Sequence, residues 1–222
     1  MEVARASIWK TPFIGAYSKV FGVNAVVNKN APQGFLRRLR DFLRIDSVAV
    51  TNISGVHAVS SMIAANSNFI VAPDTIEDEE LRELESLGKE VLRVESKLKA
   101  WGNMMILSEK GVLFSPRVSK KEAGMIIDFL GVDYDFASLA NYVAIGALAV
   151  PGEEVCFASK LLKEEEKKLL EDLLKLRVHA VSVNDGMVFI RLGMLVSPFG
   201  VLVGEATTGD ELMSISMAAR QL

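Results

Sequence analysis

Residues 101–130 read WGNMMILSEKGVLFSPRVSKKEAGMIIDFL, and this stretch decides the fold. Met104–Leu107 predicts a strand, Ser108–Gly111 a polar turn and Val112–Phe114 a second strand. After Ser115–Pro116, Ser119 and Glu122 stand at the Ser-x-x-Glu spacing of a capping box, in which each side chain satisfies a backbone N–H of a starting helix. Met125, Ile126, Phe129 and Leu130 give that helix one apolar face. Two strands and a helix cannot bury their own apolar surface. The unit requires copies of itself.

The copies are present. Gly22, Asn68, Gly111, Glu154 and Gly200 align just before FGVNAVV-, NFIVAP-, GVLFSP-, EVCFAS- and GVLVGE-like strands, at spacings of 46, 43, 43 and 46 residues. A second column, seven to nine residues upstream, holds only small residues: Gly15, Ser61, Gly102, Gly146 and Gly193. Helical patterns follow at 34–43, 76–87, 120–130, 162–176 and 209–219. A period in this range marks stacked or ring-like repeats sharing a continuous core. Five units follow, with approximate bounds 1–45, 46–90, 91–132, 133–177 and 178–222, in one domain spanning 1–222.

Neither end reads as a polar capping repeat, which an open stack would need. Closure into a ring answers this, with the strand at Val3–Trp9 completing the last unit and the helices outside. The expected fold class is therefore an α/β propeller of five units with pseudo-fivefold symmetry.

Along the chain, further strands are expected at Phe13–Lys19, Val23–Val27, Ser47–Thr51, Val59–Ala65, Phe69–Val71, Val91–Val94 and Asp133–Ala137. Others fall at Val143–Val150, Val155–Phe157, Ala180–Val183, Val188–Ile190, Met194–Val196 and Val201–Val203. Asn30 is the expected N-cap of the first helix, with Gln33 three residues on. Asp74 and Glu77 start the second helix and Gly88 ends it. Thr208 and Glu211 repeat the capping box of Ser119 and Glu122. Arg37, Arg38, Arg40 and Arg44 read as the solvated side of the first helix rather than a phosphate site.

Half of the 222 residues are hydrophobic, yet no apolar run reaches the ~20 residues of a membrane span. MEVARASIWKTP at the start lacks the apolar core of a signal peptide. One cysteine, Cys156, excludes an internal disulfide framework and fits a reducing compartment. A formal charge of −3 argues against coating bare nucleic acid. The expected setting is the cytoplasm.

Three stretches carry a family resemblance: ANSNFIVAPDTIEDEEL, LKAWGNMMILSEKGVLFSP and VNDGMVFIRLGMLVSPFGVLVGEATTGDELMSI. With RAS at 5–7, IG at 14–15, Gly102–Asn103 followed by Gly111, and TTG at 207–209, they resemble the translation initiation factor 6 family of archaea and eukaryotes nearly end to end. The resemblance implies a pentein fold, a ring of five αββ-type units. It also implies binding to the intersubunit face of the large ribosomal subunit, ribosomal proteins and rRNA included, which blocks the small subunit by occupation, without chemistry. The positions matching the family's docking loops are Gly15, Lys19, His57, Asn66, Gly102, Asn103 and Gly146. No cofactor, metal, membrane or free DNA is implied, and a monomer is expected.

The match has local departures. Asn68–Phe69 stands where relatives usually have a glycine, Glu154–Ser159 replaces a Gly-rich turn leading to His-Pro, and His57 and Ser61 stand where some relatives carry arginine. The sequence ends soon after the fifth helix, so the tail of eukaryotic relatives is expected to be absent.

The same fold hosts enzymes with a Cys nucleophile, a His and carboxylates that act on guanidino compounds, and this is the alternative function. Cys156 sits mid-strand, where a cysteine behaves as a small hydrophobe, and no motif brings His57 or His179 to it. A diverged relative with a different partner is the third reading. Asn103 carries two readings of its own: a contact to a partner, with Gly102 clearing the approach, or a turn-maker.

Overall fold

The computed structural model describes residues 1–220. Five three-stranded sheets repeat one arrangement. In the first, Ser18–Phe21 runs antiparallel to Asn24–Val27, which runs parallel to Ser47–Val50 after the helix Gln33–Leu43. The second sheet joins Ala64–Ala65, Phe69–Pro73 and Glu90–Val94 around the helix Asp78–Glu85. The third joins Met105–Leu107, Gly111–Phe114 and Asp133–Phe136 around Lys120–Leu130. The fourth joins Ala149–Pro151, Val155–Ser159 and Arg177–Val181 around Glu164–Leu174.

The fifth sheet closes the ring. Met194–Val196 and Gly200–Gly204 precede the helix Gly209–Arg220, and the third strand is Glu2–Ala6 from the chain's start. It pairs in parallel from Glu2↔Gly200 to Ala6↔Gly204. The N-terminal strand therefore completes the last unit, as the missing capping repeats require. The last two residues assigned to unit five lie outside the described residues.

The core lies between blades rather than within them. Leu195 and Leu202 of unit five pack with Phe35, Leu36 and Leu39 of the first helix, and Ile106 and Leu113 of unit three pack with Leu170 and Leu174 of the fourth. Each helix thus covers the sheet of the preceding unit, and neighbours stabilise each other as stacked repeats do. Apolar faces that one unit leaves open are buried by the next.

The capping boxes form where expected. Ser119 Oγ accepts from Glu122 N, and Glu122 accepts from Ser119 N at 2.8 Å. Thr208 and Glu211 make the same exchange. In unit two the box uses Glu77 with Glu80. The first helix differs: Pro32, at φ −62°, occupies the N-cap position, and Asn30 instead donates its N–H to Asn28 Oδ1. Proline's fixed φ makes it a ready entry to the helix, which displaces the cap expected at Asn30.

Four expected strands start late, and a fifth, Val188–Ile190, forms no strand. Phe13–Lys19, Val59–Ala65, Met104–Leu107, Val143–Val150 and Val188–Ile190 all contain or adjoin a tight turn in the structure. The turns are helical at Val59–Met62, Trp101–Met104, Ile145–Ala147 and Ile190–Gly193, and strand follows only afterwards. The apolar composition of these segments reflects burial at the ring axis, not extended backbone. The small-residue column lies in these turns.

Candidate docking face and axial channel

Strand polarity divides the ring into two ends. Hairpins between first and second strands, at 22–23, 66–68, 108–110, 152–154 and 197–199, share one end. The opposite end gathers the helix N-termini, the C-terminal ends of the third strands, and the loops that lead back to the axis. Four of these loops contain a single β-bridge: Ile8↔Thr11, Ile53↔Val56, Leu139↔Tyr142 and Val183↔Met187. Their tips adopt positive φ at Trp9–Lys10, Ser54–Gly55, Ala140–Asn141 and Asn184–Gly186.

In three units the glutamate of the helix's capping box holds a loop tip. Glu80 accepts from Ser54 N and Gly55 N (2.8 Å), Glu166 from Ala140 N (2.7 Å), and Glu211 from Asp185 N (3.1 Å) and Gly186 N (2.8 Å). Burial raises the Glu211 carboxyl pKa, but backbone N–H groups and hydroxyls more than offset this and leave it below the usual carboxylate range. Unit three has no such bridge. There Ser96 Oγ donates to Glu122, and Lys99 pairs with Asp74 rather than standing free in solvent.

The loop end displays large apolar groups. Trp9 is 40 %, Phe13 41 % and Tyr142 41 % exposed, and Val56 and Val143 project alongside. Trp9 packs edge-on to Tyr17 and Tyr142 edge-on to Phe189, so both rings are braced. The sequence reading missed these positions, since single apolar residues in loops look unremarkable until the ring brings them to one end. His57 is exposed at this end beside Val56, while its backbone carbonyl accepts from Asn28 Nδ2.

The column at the axis is built differently. Gly15, Gly102 and Gly146 are buried. A Cβ on Gly15 would lie 1.9 Å from Arg191 O, one on Gly102 2.1 Å from Ser60 O, and one on Gly146 1.9 Å from Gly102 O. Glycine is required because the backbone of the neighbouring unit touches it. Gly102 does clear an approach, and the backbone that approaches is the chain's own. Asn66 is buried too: its Oδ1 accepts from Asn68 N and Phe69 N, and its Nδ2 donates to Ser108 O of unit three. It serves as the turn-maker of its hairpin.

Arg191, unremarked in the sequence, crosses the axis from unit five. Its Nη1 donates to Ser60 O (2.9 Å) and Gly102 O, and its Nη2 to Asn103 Oδ1. Asn103, half-buried, thus bonds inside the ring. Burial pushes the Arg191 guanidinium down to about 10. Lys19 points into the same channel, and burial together with the Arg191 charge pushes its ammonium down to about 7. The channel between the first strands leads from Lys19, Asn66 and Ser108 to a mouth at Gly22, Glu109, Glu153 and Pro198. Cys156, fully buried in its strand, has a thiol pushed up to about 12 by burial. A thiol in that state supplies no thiolate nucleophile at neutral pH.

The eIF-6 family profile matches residues 3–218 of this chain. This chain belongs to the eIF-6 family. Translation initiation factor 6 of Thermococcus onnurineus is 29% identical over 98% of both chains, and that of Thermococcus gammatolerans 30% identical over the same shares. That of Staphylothermus marinus is 29% identical over 97% of this chain and 96% of its own. Membership gives this chain the role of a translation initiation factor. Among solved structures, a dimethylarginine dimethylaminohydrolase adduct with S-methyl-L-thiocitrulline aligns with a TM-score of 0.54 at 13% identity. It covers 99% of this chain and 88% of its own, and shows the shared pentein-type ring. Among the described residues of this eIF-6 member, no helix is long and apolar enough to cross a membrane.

Proposed function

We propose that this factor binds the intersubunit face of the large ribosomal subunit and, by occupying it, keeps the small subunit from joining. It acts as a cytoplasmic monomer and turns over no substrate. The observation that carries the reading is the loop end of the ring, where braced aromatic and aliphatic groups stand exposed on loops, three of which are held by capping-box glutamates. Rigid, partly exposed aromatics are what a docking surface needs, because little freedom is lost on binding. Whole-chain membership of a translation initiation factor family supports a ribosomal partner. In this reading His57 and Asn103 adjoin the docking end and Gly15, Gly102 and Gly146 keep its loops in place from within, whereas Lys19 in the channel and Asn66 in a hairpin at the other end do not face the partner.

The test is sedimentation of purified subunits with increasing protein. The joined fraction is expected to fall in proportion to the occupied large subunits. Trp9→Ala with Tyr142→Ala is expected to weaken subunit binding roughly tenfold or more with little change in melting temperature. An unchanged joined fraction at full occupancy refutes the blocking mechanism, and unchanged affinity in the double variant removes the loop end as its docking surface.

A further inference from the structure

The inner end of the axial channel is a small chamber lined by Ser18, Lys19, Ser60, Arg191 and the apolar side chains of the first strands. It is a cavity of about 10 Å³, room for a single small species. Among the described residues, three buried side-chain polar atoms lack a hydrogen-bond partner: Ser60 Oγ, Arg191 Nε and Trp101 Nε1. Two of the three belong to residues lining this chamber.

The charges are equally one-sided. The lining holds two cationic side chains and no carboxylate, and neither cation enters an ion pair among the described residues. Arg191 is only 4% exposed and Ser60 2%. Lys19 is half-buried beside Arg191, and two like charges held close at a partly dry site repel, while Arg191 has lost its hydration. The nearest acids along the channel are Glu109 and Glu153 at the outer mouth, and Glu109 is already bonded to Ser67 N and Oγ. What the chamber lacks is a small negative charge that accepts from N–H and O–H donors.

We propose that a single monatomic anion of chloride type occupies this chamber, held by the Lys19 ammonium, the Arg191 Nε–H and the Ser60 hydroxyl. It neutralises the axis where backbones of units two, three and five converge on Arg191. Lys19, Val20 and Val196 line both the chamber and the channel, so in this proposal the ion enters from the hairpin end. The chamber's size favours a halide over an oxyanion such as phosphate. The site is independent of the docking reading.

The anion requires charged Lys19, whose ammonium is held near 7 by burial and by the Arg191 charge. Binding therefore takes up a proton and weakens as pH rises. The experiment compares thermal unfolding in sodium chloride and sodium gluconate at equal ionic strength, at pH 6 and pH 9, with chlorine-35 NMR line widths on the same folded protein. At pH 6, chloride at about ten times its dissociation constant is expected to raise the melting temperature by roughly 3–6 °C over gluconate. The chloride line should broaden in the native protein. Both effects should shrink at pH 9 and vanish in Lys19→Met, which keeps the side chain's length without its charge. Phosphate should give neither. Equal melting temperatures in the two salts with no line broadening mean a chamber holding water only, and overturn the proposal. So does a chloride effect that survives Lys19→Met.

Discussion

The axial column and the loops that flank it lie at the same end of the ring, a few residues apart in every unit, yet they obey opposite rules. At Gly102 and Gly146 the neighbouring backbone leaves no room for a methyl group. At Trp9 and Tyr142, in the loops just outside, bulky rings stand in solvent. The column spends its surface on holding units together. The loops, three of them clamped from beneath by Glu80, Glu166 and Glu211 and the first tied by Trp9 Nε1 to Asn30 O, keep theirs free. A rigid face is thus made by one set of residues and displayed by another.

The hardest blow to this contrast falls on the column. Gly146→Ala sets a Cβ against Gly102 O and Met105 O, and relief requires moving backbone in unit three. A loss of about 3 kcal/mol or more is expected, lowering the melting temperature by roughly 6–12 °C. Thermal unfolding followed by circular dichroism measures it. A variant as stable as its parent would show that the column is looser than drawn.

Next comes the clamp. Glu211→Gln loses charge-assisted acceptance from Asp185, Gly186 and Thr208 N–H groups, an expected cost of about 2–3 kcal/mol. Because the folded carboxyl titrates below its unfolded value, its contribution is present above the unfolded pKa and lost as pH falls through the folded one. Melting curves between pH 7 and pH 3 should fall more steeply for the parent than for the glutamine variant. Parallel curves would mean that Glu211 is not the group being titrated.

The smallest effect sharpens the border between the two regions. Asn103→Ala leaves the Arg191 Nη2 donor short of a partner, for about 1–2 kcal/mol. Asn103→Asp retains an acceptor and should keep most of the stability. If Asn103 belongs to the column alone, the alanine variant melts earlier and binds subunits normally. If it also reaches a partner, affinity falls beyond what the lost stability explains.

Much of the architecture was legible because periodic signals are redundant. The 43–46 residue spacing recurs four times, the Ser119–Glu122 and Thr208–Glu211 boxes mark helix starts, and the uncapped ends demanded closure. Local apolar content was misleading where burial came from the axis, as at Val59–Met62 and Trp101–Met104. The site was less legible. Gly15, Gly102 and Gly146 stand out as letters, but a glycine records only that something comes close, not whether it is a partner or the chain itself. Arg191 sits unmarked in FIRLGM, because its three acceptors come from positions 60, 102 and 103, and no local window contains them.

The register Glu2↔Gly200 carries a consequence in time. The first strand made is an unpaired edge until a partner about 200 residues later exists. At ~5–20 residues per second of synthesis, that wait is roughly 10–40 s. Bringing strands together over such a span costs roughly 2 kcal/mol more entropy than pairing the strands within one unit. Four blades can assemble in order as the chain emerges. The fifth cannot exist until its last residues meet the chain's first, so a growing chain carries an open, pairing-competent edge for most of its synthesis.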